Sequence, residues 1–310
     1  MKSPLQPAPL TEILHDRVNI FWLFAQSLRL FARHWRWFLQ QTLVVYLPYL
    51  LLTRLARGGI EAIFGVVLEG ETQSVAEYFA SLLFRIIHAP LAIAYLPLSV
   101  MPIAYWAERW VGGQLLDYKS ALKLSLRRWK LGIYATVRVG FTVWGLGTLA
   151  GLALAAVMGF LSSVFREESW EYLTIGIIIV LIAVSYCLFW MMLYSFVPIA
   201  IALRNCSGVS ALRYSRRQIA QMIPVRLLAS YLLVGFCFSF SVEQMMDVGL
   251  GAIKFSQPAW AFSLISILAA LATGFINHIF TINQVLLFLN TDYLRERSTT
   301  PLAIQPDKQT

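Results

Sequence analysis

The residues best placed to do chemistry are polar side chains within an apolar stretch near the C-terminus. Thr273, Asn277, Thr281 and Gln284 stand at i, i+4, i+8 and i+11, so they would share one helix face, with His278 beside it. We call these five residues the polar stripe. Polar groups at membrane depth usually face the bundle interior or a water-filled cavity. The stripe is therefore a candidate pathway for a solute or lipid headgroup, and hydrogen bonding between helices is the alternative.

Groups suited to catalysis or metal binding are scarce. The chain of 310 residues has 16 acidic residues, four histidines and three cysteines. The histidines are not spaced at i+3 or i+4 from one another or from a cysteine, as shared metal ligands on one helix would be. A general acid–base residue also needs an orienting partner, and none stands near His88 or His278. We therefore expect no enzyme, no metal site and no cofactor.

The elements that must carry the stripe are membrane-spanning helices. The sequence is 58% hydrophobic and 13% charged, whereas soluble proteins have about 25% charged residues. Six segments have about the length needed to cross a bilayer, at residues 37–53, 86–107, 139–165, 173–203, 227–246 and 259–290. The predicted fold is an all-α integral membrane protein, with one domain over residues 1–298 and a disordered cytoplasmic tail at 299–310.

The charges predict the orientation of these helices. Basic residues concentrate near the N-terminus, in the 108–130 and 204–226 loops and in the tail, while acidic residues concentrate in the intervening loops. The positive-inside rule then places both termini and the basic loops in the cytoplasm. We expect a multi-pass protein of the bacterial inner (plasma) membrane. The net charge of +9 follows from this orientation and does not indicate a nucleic-acid partner.

Three basic segments, residues 27–36, 120–130 and 210–217, are alike. They begin at Ser27, Ser120 and Ser210, and each precedes a predicted pair of spans. They predict amphipathic helices at the membrane interface. We interpret them as parts of three parallel repeats, over 17–107, 108–203 and 204–298, with convergence of basic connectors as the alternative. Their cations would contact anionic lipid headgroups or a protein partner: Arg29, Arg33, Arg36, Lys123, Arg127, Arg128, Arg213, Arg216 and Arg217.

Three stretches carry a resemblance to a known family. They are Phe24 to Pro48, Val197-Pro198-Ile199 running into residues 207–215, and Leu286 to Arg295. Over roughly residues 17–297 the chain resembles a bacterial membrane-domain superfamily, related to the membrane domain of some glycerophosphoryl diester phosphodiesterases. Relatives often carry an acidic residue where this chain has Arg204-Asn205-Cys206, and a glycine within the stretch that here reads Gln218 to Met222. The resemblance implies the membrane fold, and it carries over no activity because the phosphodiesterase domain is absent.

The sequence leaves two functions open. The first is a non-enzymatic membrane protein whose basic helices bind anionic lipid, a membrane-protein partner or a second copy of the chain. The second is a transporter or channel that uses the polar stripe together with Pro90, Pro97 and Pro102, because a helix broken at mid-membrane is one mark of transporters.

Overall fold

The computed structural model describes residues 19–65, 75–164, 174, 178, 196–204, 206, 208–221 and 259–299. Side chains are described as far as residue 141 in the long central helix, and at 268 and 271–294 in the last one. Every element among these residues is a helix: α1 Ile20–Arg33, α2 Trp35–Gln41, a π turn Thr42–Tyr46, α3 Leu47–Phe64, α4 Val75–Val111, α5 Tyr118–Val164, α6 Gly208–Gln221 and α7 Ala259–Thr299. Residues 196–204 form a further helical segment between α5 and α6.

Three of the described helical stretches are long and apolar enough to cross a membrane. They are Trp35–Phe64, Val75–Val111 and Leu271–Leu294. They overlap the predicted spans at 37–53, 86–107 and 259–290. The predicted span at 139–165 lies almost wholly within α5, only a few residues of 173–203 are described, and 227–246 lies outside the described residues, as does the tail from 300 onward. The all-helical membrane architecture is therefore shown for the part of the chain that the structure describes.

The second basic segment is continuous with the helix that follows it. Sequence analysis predicts an interfacial helix and then a separate span, whereas α5 runs without interruption over 47 residues. The one glycine between the basic segment 120–130 and the predicted span 139–165 is Gly132, which packs against α4. A Cβ at this position would lie 2.7 Å from Cβ of Pro97 in α4. The glycine therefore allows α4 and α5 to approach closely within the uninterrupted helix α5.

Turns with left-handed backbone geometry end two of the helices. Gly65 follows α3 with a φ of 62°, and Gly113 follows α4 with a φ of 77°. Glycine adopts this conformation without a steric penalty and commonly ends helices. The N-terminus of α1 is capped by Asn19, whose Oδ1 accepts a hydrogen bond from Phe21 N at 3.0 Å.

The core lies where the C-terminal half of α4, the 196–204 segment and the C-terminal half of α7 pack together. Trp106, Phe196 and Phe288 are almost fully buried there, and Phe196 and Phe288 have ring centroids 5.8 Å apart. Phe38 of α2 packs edge-on against Trp106 at 5.2 Å. These aromatic contacts fix α2, α4, the 196–204 segment and α7 around the polar groups described next.

Candidate functional site

The cations predicted to contact lipid headgroups are mostly exposed. Eight of the nine have exposed side chains: Arg29, Arg33, Arg36, Lys123, Arg127, Arg213, Arg216 and Arg217. Within the described part of the chain, none of these eight forms a salt bridge. We call the surfaces that they form the basic faces. Exposed cations that form no salt bridge within the described residues give these helices a positively charged surface.

Small side chains occupy the opposite sides of the same helices. Ser27 in α1, Ala121 and Ser125 in α5, and Ala211 and Ser215 in α6 are each 0% exposed. The hydroxyls of Ser27 and Ser125 donate to the carbonyl four residues earlier, at 2.8 and 2.9 Å, so they are satisfied within their own helices. Each basic segment therefore packs its small-residue side against the bundle and turns its cations outward.

The buried serines do not occupy equivalent positions in the alignment that the predicted repeat uses. Ser125 and Ser215 hold the same place in their segments, five residues after Ser120 and Ser210. In α1 the buried serine is Ser27. The predicted repeat places Ser27 at the same position as Ser120, which is partly exposed. By burial, Ser27 resembles Ser125 and Ser215 and not Ser120, so the burial pattern does not follow the predicted alignment.

Arg128 differs from the other eight cations. Its Nη1 atom donates hydrogen bonds to the carbonyls of Ile201 and Ala202, both at 2.9 Å. These carbonyls stand in the last turn of the 196–204 segment, where a helix has no backbone donors left to satisfy them. Arg128 thus ties α5 to the end of that segment, and its charge complements the negative pole of the helix dipole.

The structure brings four of the five polar-stripe residues to one cavity. The cavity has a volume of about 200 Å³ and lies between α4, α7 and the 196–204 segment. Thr273 is not part of its wall. Apolar side chains complete the wall, and the described polar residues that line it are Tyr95, Ser99, Asn277, His278, Thr281 and Gln284.

His278 is held in the cavity wall by the start of the π turn. Its Nε2 atom lies 2.8 Å from Oγ1 of Thr42, and the Thr42 hydroxyl donates to the carbonyl of Phe38 at 2.9 Å. A threonine hydroxyl has a single proton. The Thr42 hydroxyl and Nε2 of His278 therefore form a buried hydrogen bond between the π turn and α7, and its direction is set by the tautomer of the imidazole.

A close approach between helices supports this arrangement. A Cβ on Gly274 of α7 would lie 2.9 Å from Cδ1 of Tyr46 and 3.0 Å from Cγ2 of Thr42, both in the π turn. Turns of π-helix are rare and often accompany functional positions in helices. Here the π turn and Gly274 together bring Thr42 within hydrogen-bond distance of His278.

The three prolines of α4 lie inside a continuous helix. Pro102 cannot donate a hydrogen bond to the carbonyl of Leu98, and Nε2 of Gln41 donates to that carbonyl instead, at 2.8 Å. Nε1 of Trp129 likewise donates to the carbonyl of Ala94 at 3.0 Å, close to the second proline. At Pro102, therefore, a neighbouring helix supplies the donor that the proline itself lacks.

An ion-pair hub, which sequence analysis missed, joins the ends of several elements. Asp292 of α7 has a side chain that is 0% exposed, and its carboxylate accepts hydrogen bonds from Nε of Arg204, the hydroxyl of Tyr214 and Nε2 of Gln218. Nη1 of Arg204 also donates to Oε1 of Glu108 at 3.0 Å. We call these five residues the Asp292 hub. It connects the ends of α4 and α7 to the 196–204 segment and α6.

The hub determines the charge states of its members. Although burial alone would lower the pKa of Arg204, the carboxylates of Asp292 and Glu108 raise it above its ordinary value. Burial, followed by the hydrogen bond to Asp292, raises the pKa of Tyr214 to about 12. Arg204 therefore stays charged, and Tyr214 keeps the proton that it donates to Asp292.

The hub could have been suspected from the sequence. Arg204 directly follows an apolar run that ends at Leu203, and Asp292 lies shortly after another apolar run. A charge at such a place requires a partner of opposite sign. Because the charge pattern placed Arg204 in a cytoplasmic basic loop, its pairing with Asp292 was not predicted.

The remaining candidate groups do not assemble into a metal centre among the described residues. No group of three or more His, Cys, Asp or Glu side chains in that part of the chain could hold a metal ion. His88, the other histidine considered for catalysis, has its Nε2 atom 2.8 Å from the hydroxyl of Tyr49. In comparisons with known proteins, no family model, no curated protein and no solved structure matches the chain.

Proposed function

We propose that this chain is a non-enzymatic, six-span protein of the bacterial inner membrane that binds anionic lipid headgroups with its basic faces. The observation that carries the proposal is the exposure of eight cations that form no salt bridge within the described residues. A cation near an anionic leaflet contributes about 1 kcal/mol to membrane attraction. In this proposal the basic faces lie at the cytoplasmic interface, and the relation to the glycerophosphodiesterase-linked membrane domains is part of the same proposal.

The lipid proposal is tested with Arg216→Gln/Arg217→Gln in α6. Two lost cations at about 1 kcal/mol each correspond to about thirtyfold weaker retention of an anionic lipid. The measurement is native mass spectrometry of the protein released from nanodiscs that contain equal amounts of phosphatidylglycerol and phosphatidylcholine. The matched control is Arg54→Gln/Arg85→Gln, which removes two exposed cations from predicted outer-side segments. Equal retention of phosphatidylglycerol by both double variants would contradict the proposal, and a retained protein would identify a partner as the occupant.

The cavity supports a second candidate function, the passage of a solute. Four polar side chains of one helix line a cavity of about 200 Å³ beside the proline-containing helix α4. The test is solute flux into proteoliposomes, and Asn277→Leu/Gln284→Leu should abolish it. Thr273→Val is the matched control, because Thr273 belongs to the polar stripe but not to the cavity wall. Absence of flux for a broad panel of uncharged and charged solutes would remove this candidate.

A further inference from the structure

Helix α1 has three chemically different sides. At 3.6 residues per turn, Phe21, Leu28 and Ala32 fall within about 40° of one another around the helix axis, and all three are exposed. Arg29 and Arg33 are exposed on a second side, about 100° further round. The third side is buried against the bundle and includes Leu23, Ser27 and Leu30. Helix α1 therefore exposes an apolar side that is separate from its cations.

The other two basic segments have no such separate apolar side among their described residues. In the 120–130 segment of α5, the exposed Leu126 falls on the same side of the helix as Lys123 and Lys130. In α6, over residues 208–220, the exposed side chains include no large apolar residue. The separation of an exposed apolar side from the cations is thus particular to α1 among the three basic segments.

The residues that follow α1 indicate where it lies. His34 ends the helix with backbone angles outside the α region, and a helical stretch long and apolar enough to cross a membrane begins at Trp35. The Trp35 side chain is exposed, and Cζ of Arg36 lies 5.7 Å from its ring centroid. Tryptophan is enriched at membrane–water interfaces. We therefore expect the end of α1 to lie at the level of the lipid headgroups.

The charge of α1 favours an anionic lipid surface as the occupant of its apolar side. The helix contains no Asp or Glu, so its basic side attracts phosphate groups. Amphipathic helices with cations on one side and Phe or Leu on another lie in the membrane interface, with the apolar side buried about 5–10 Å. Two copies of α1 packed symmetrically through this side would instead bring their cations towards one another.

We propose that α1 is a membrane-surface anchor, with Phe21 and Leu28 inserted among the acyl chains of one leaflet and Arg29 and Arg33 bound to the phosphates of anionic phospholipids. The role of the two arginines rests on the proposed lipid binding by the basic faces. Insertion is additional to that function, and it is assigned to α1 and not to the basic segments of α5 and α6.

The test identifies what surrounds single side chains in the full-length protein. The photoreactive residue p-benzoylphenylalanine replaces Phe21, Leu28 or Arg33 in separate variants, and Ala220, an exposed residue of α6, in a control variant. The proteins are irradiated in nanodiscs of equal amounts of phosphatidylglycerol and phosphatidylcholine, and mass spectrometry identifies the adducts. We expect acyl-chain adducts at positions 21 and 28 and none at 33 and 220. Phe21 and Leu28 are exposed, so replacing them disturbs no packing within the described chain.

A second arm of the experiment tests the arginines. With p-benzoylphenylalanine at position 21, phosphatidylglycerol should exceed half of the captured lipid. Arg29→Gln/Arg33→Gln should return its share to the half present in the bilayer without abolishing capture. Arg216→Gln/Arg217→Gln is the matched control, because it removes two exposed cations from α6, and it should leave the share at position 21 unchanged.

Several outcomes would overturn the anchor. Absence of acyl-chain adducts at positions 21 and 28 would mean that α1 lies outside the bilayer, and capture of a protein chain there would mean a protein contact instead. Equal acyl-chain capture at all four positions would mean that insertion is not confined to the apolar side of α1. Capture without a preference for phosphatidylglycerol would overturn the role of the arginines and leave insertion in place. Loss of lipid retention in Arg216→Gln/Arg217→Gln, without acyl-chain capture by α1, would retain the proposed function and remove the anchor.

Discussion

The Asp292 hub gives the sharpest prediction about stability. Asp292→Asn keeps the size of the side chain and removes its charge. Arg204, whose side chain is 20% exposed, is then left with Glu108 as its carboxylate partner among the described residues, and the hydroxyl of Tyr214 and the amide of Gln218 lose a charged acceptor. Breaking a buried ion pair by removing one partner costs about 3–5 kcal/mol. We expect the free energy of unfolding to fall by this amount.

The assay is reversible unfolding by sodium dodecyl sulfate in mixed micelles, followed by circular dichroism. Arg217→Gln, in the same region of the chain, changes a charge on an exposed side chain and should cost less than about 0.5 kcal/mol. Arg204→Met combined with Asp292→Asn should lose less stability than the sum of the two single variants, because the double variant buries no uncompensated charge. A loss for Asp292→Asn as small as that for Arg217→Gln, or strict additivity in the double variant, would refute the role assigned to the hub.

Three further predictions concern the hydrogen bond of Gln41 to a backbone carbonyl, the packing of Gly132 and the dependence of stability on pH. Gln41→Leu removes the donor to the carbonyl of Leu98, which Pro102 leaves without its usual backbone donor. This change should lower the free energy of unfolding by about 1–3 kcal/mol, whereas Gln40→Leu, at an adjacent exposed position, should lower it far less. Gly132→Ala should lower the melting temperature, since its Cβ would meet a proline ring at 2.7 Å, while Gly140→Ala, with open space around it, should raise it slightly. The folded pKa of Tyr214 is raised from 10.0 to about 12, so its contribution to stability is complete below pH 10 and is lost as the pH rises toward 12. The free energy of unfolding, measured from pH 10 to pH 12, should fall less steeply in Tyr214→Phe than in the unsubstituted protein. Identical slopes for the two proteins would contradict the raised pKa of Tyr214.

The sequence predicted the helical membrane architecture because long apolar runs are a local property. The polar stripe was visible for the same reason, since its members recur at helical spacing within one segment. Exposure of most of the cations also agrees with the amphipathic pattern, which places apolar or small residues on one side of a helix and charges on the other. Each of these features is encoded within a window of about twenty residues.

Features that depend on contacts between distant segments were not predictable in this way. Arg128 stands beside Arg127 and has the same side chain, yet only Arg128 reaches the carbonyls of Ile201 and Ala202. Glu108, Arg204 and Asp292 are far apart in the sequence, so no spacing rule joins them. The residues that fix the cavity, such as Thr42 beside His278, likewise become neighbours only when the helices pack.

The Asp292 hub imposes an order on biosynthesis. The ribosome releases Glu108 and Arg204 well before Asp292, which follows Arg204 by 88 residues in the chain. Until α7 enters the membrane, the guanidinium of Arg204 has only Glu108 and water as acceptors among the groups of the hub, because the buried carboxylate of Asp292 does not yet exist. Closure of the hub therefore waits until α7 has been synthesised and inserted. A nascent chain that stops before residue 292 leaves Arg204 with Glu108 but without its buried carboxylate partner, a defect on which membrane quality-control proteases can act.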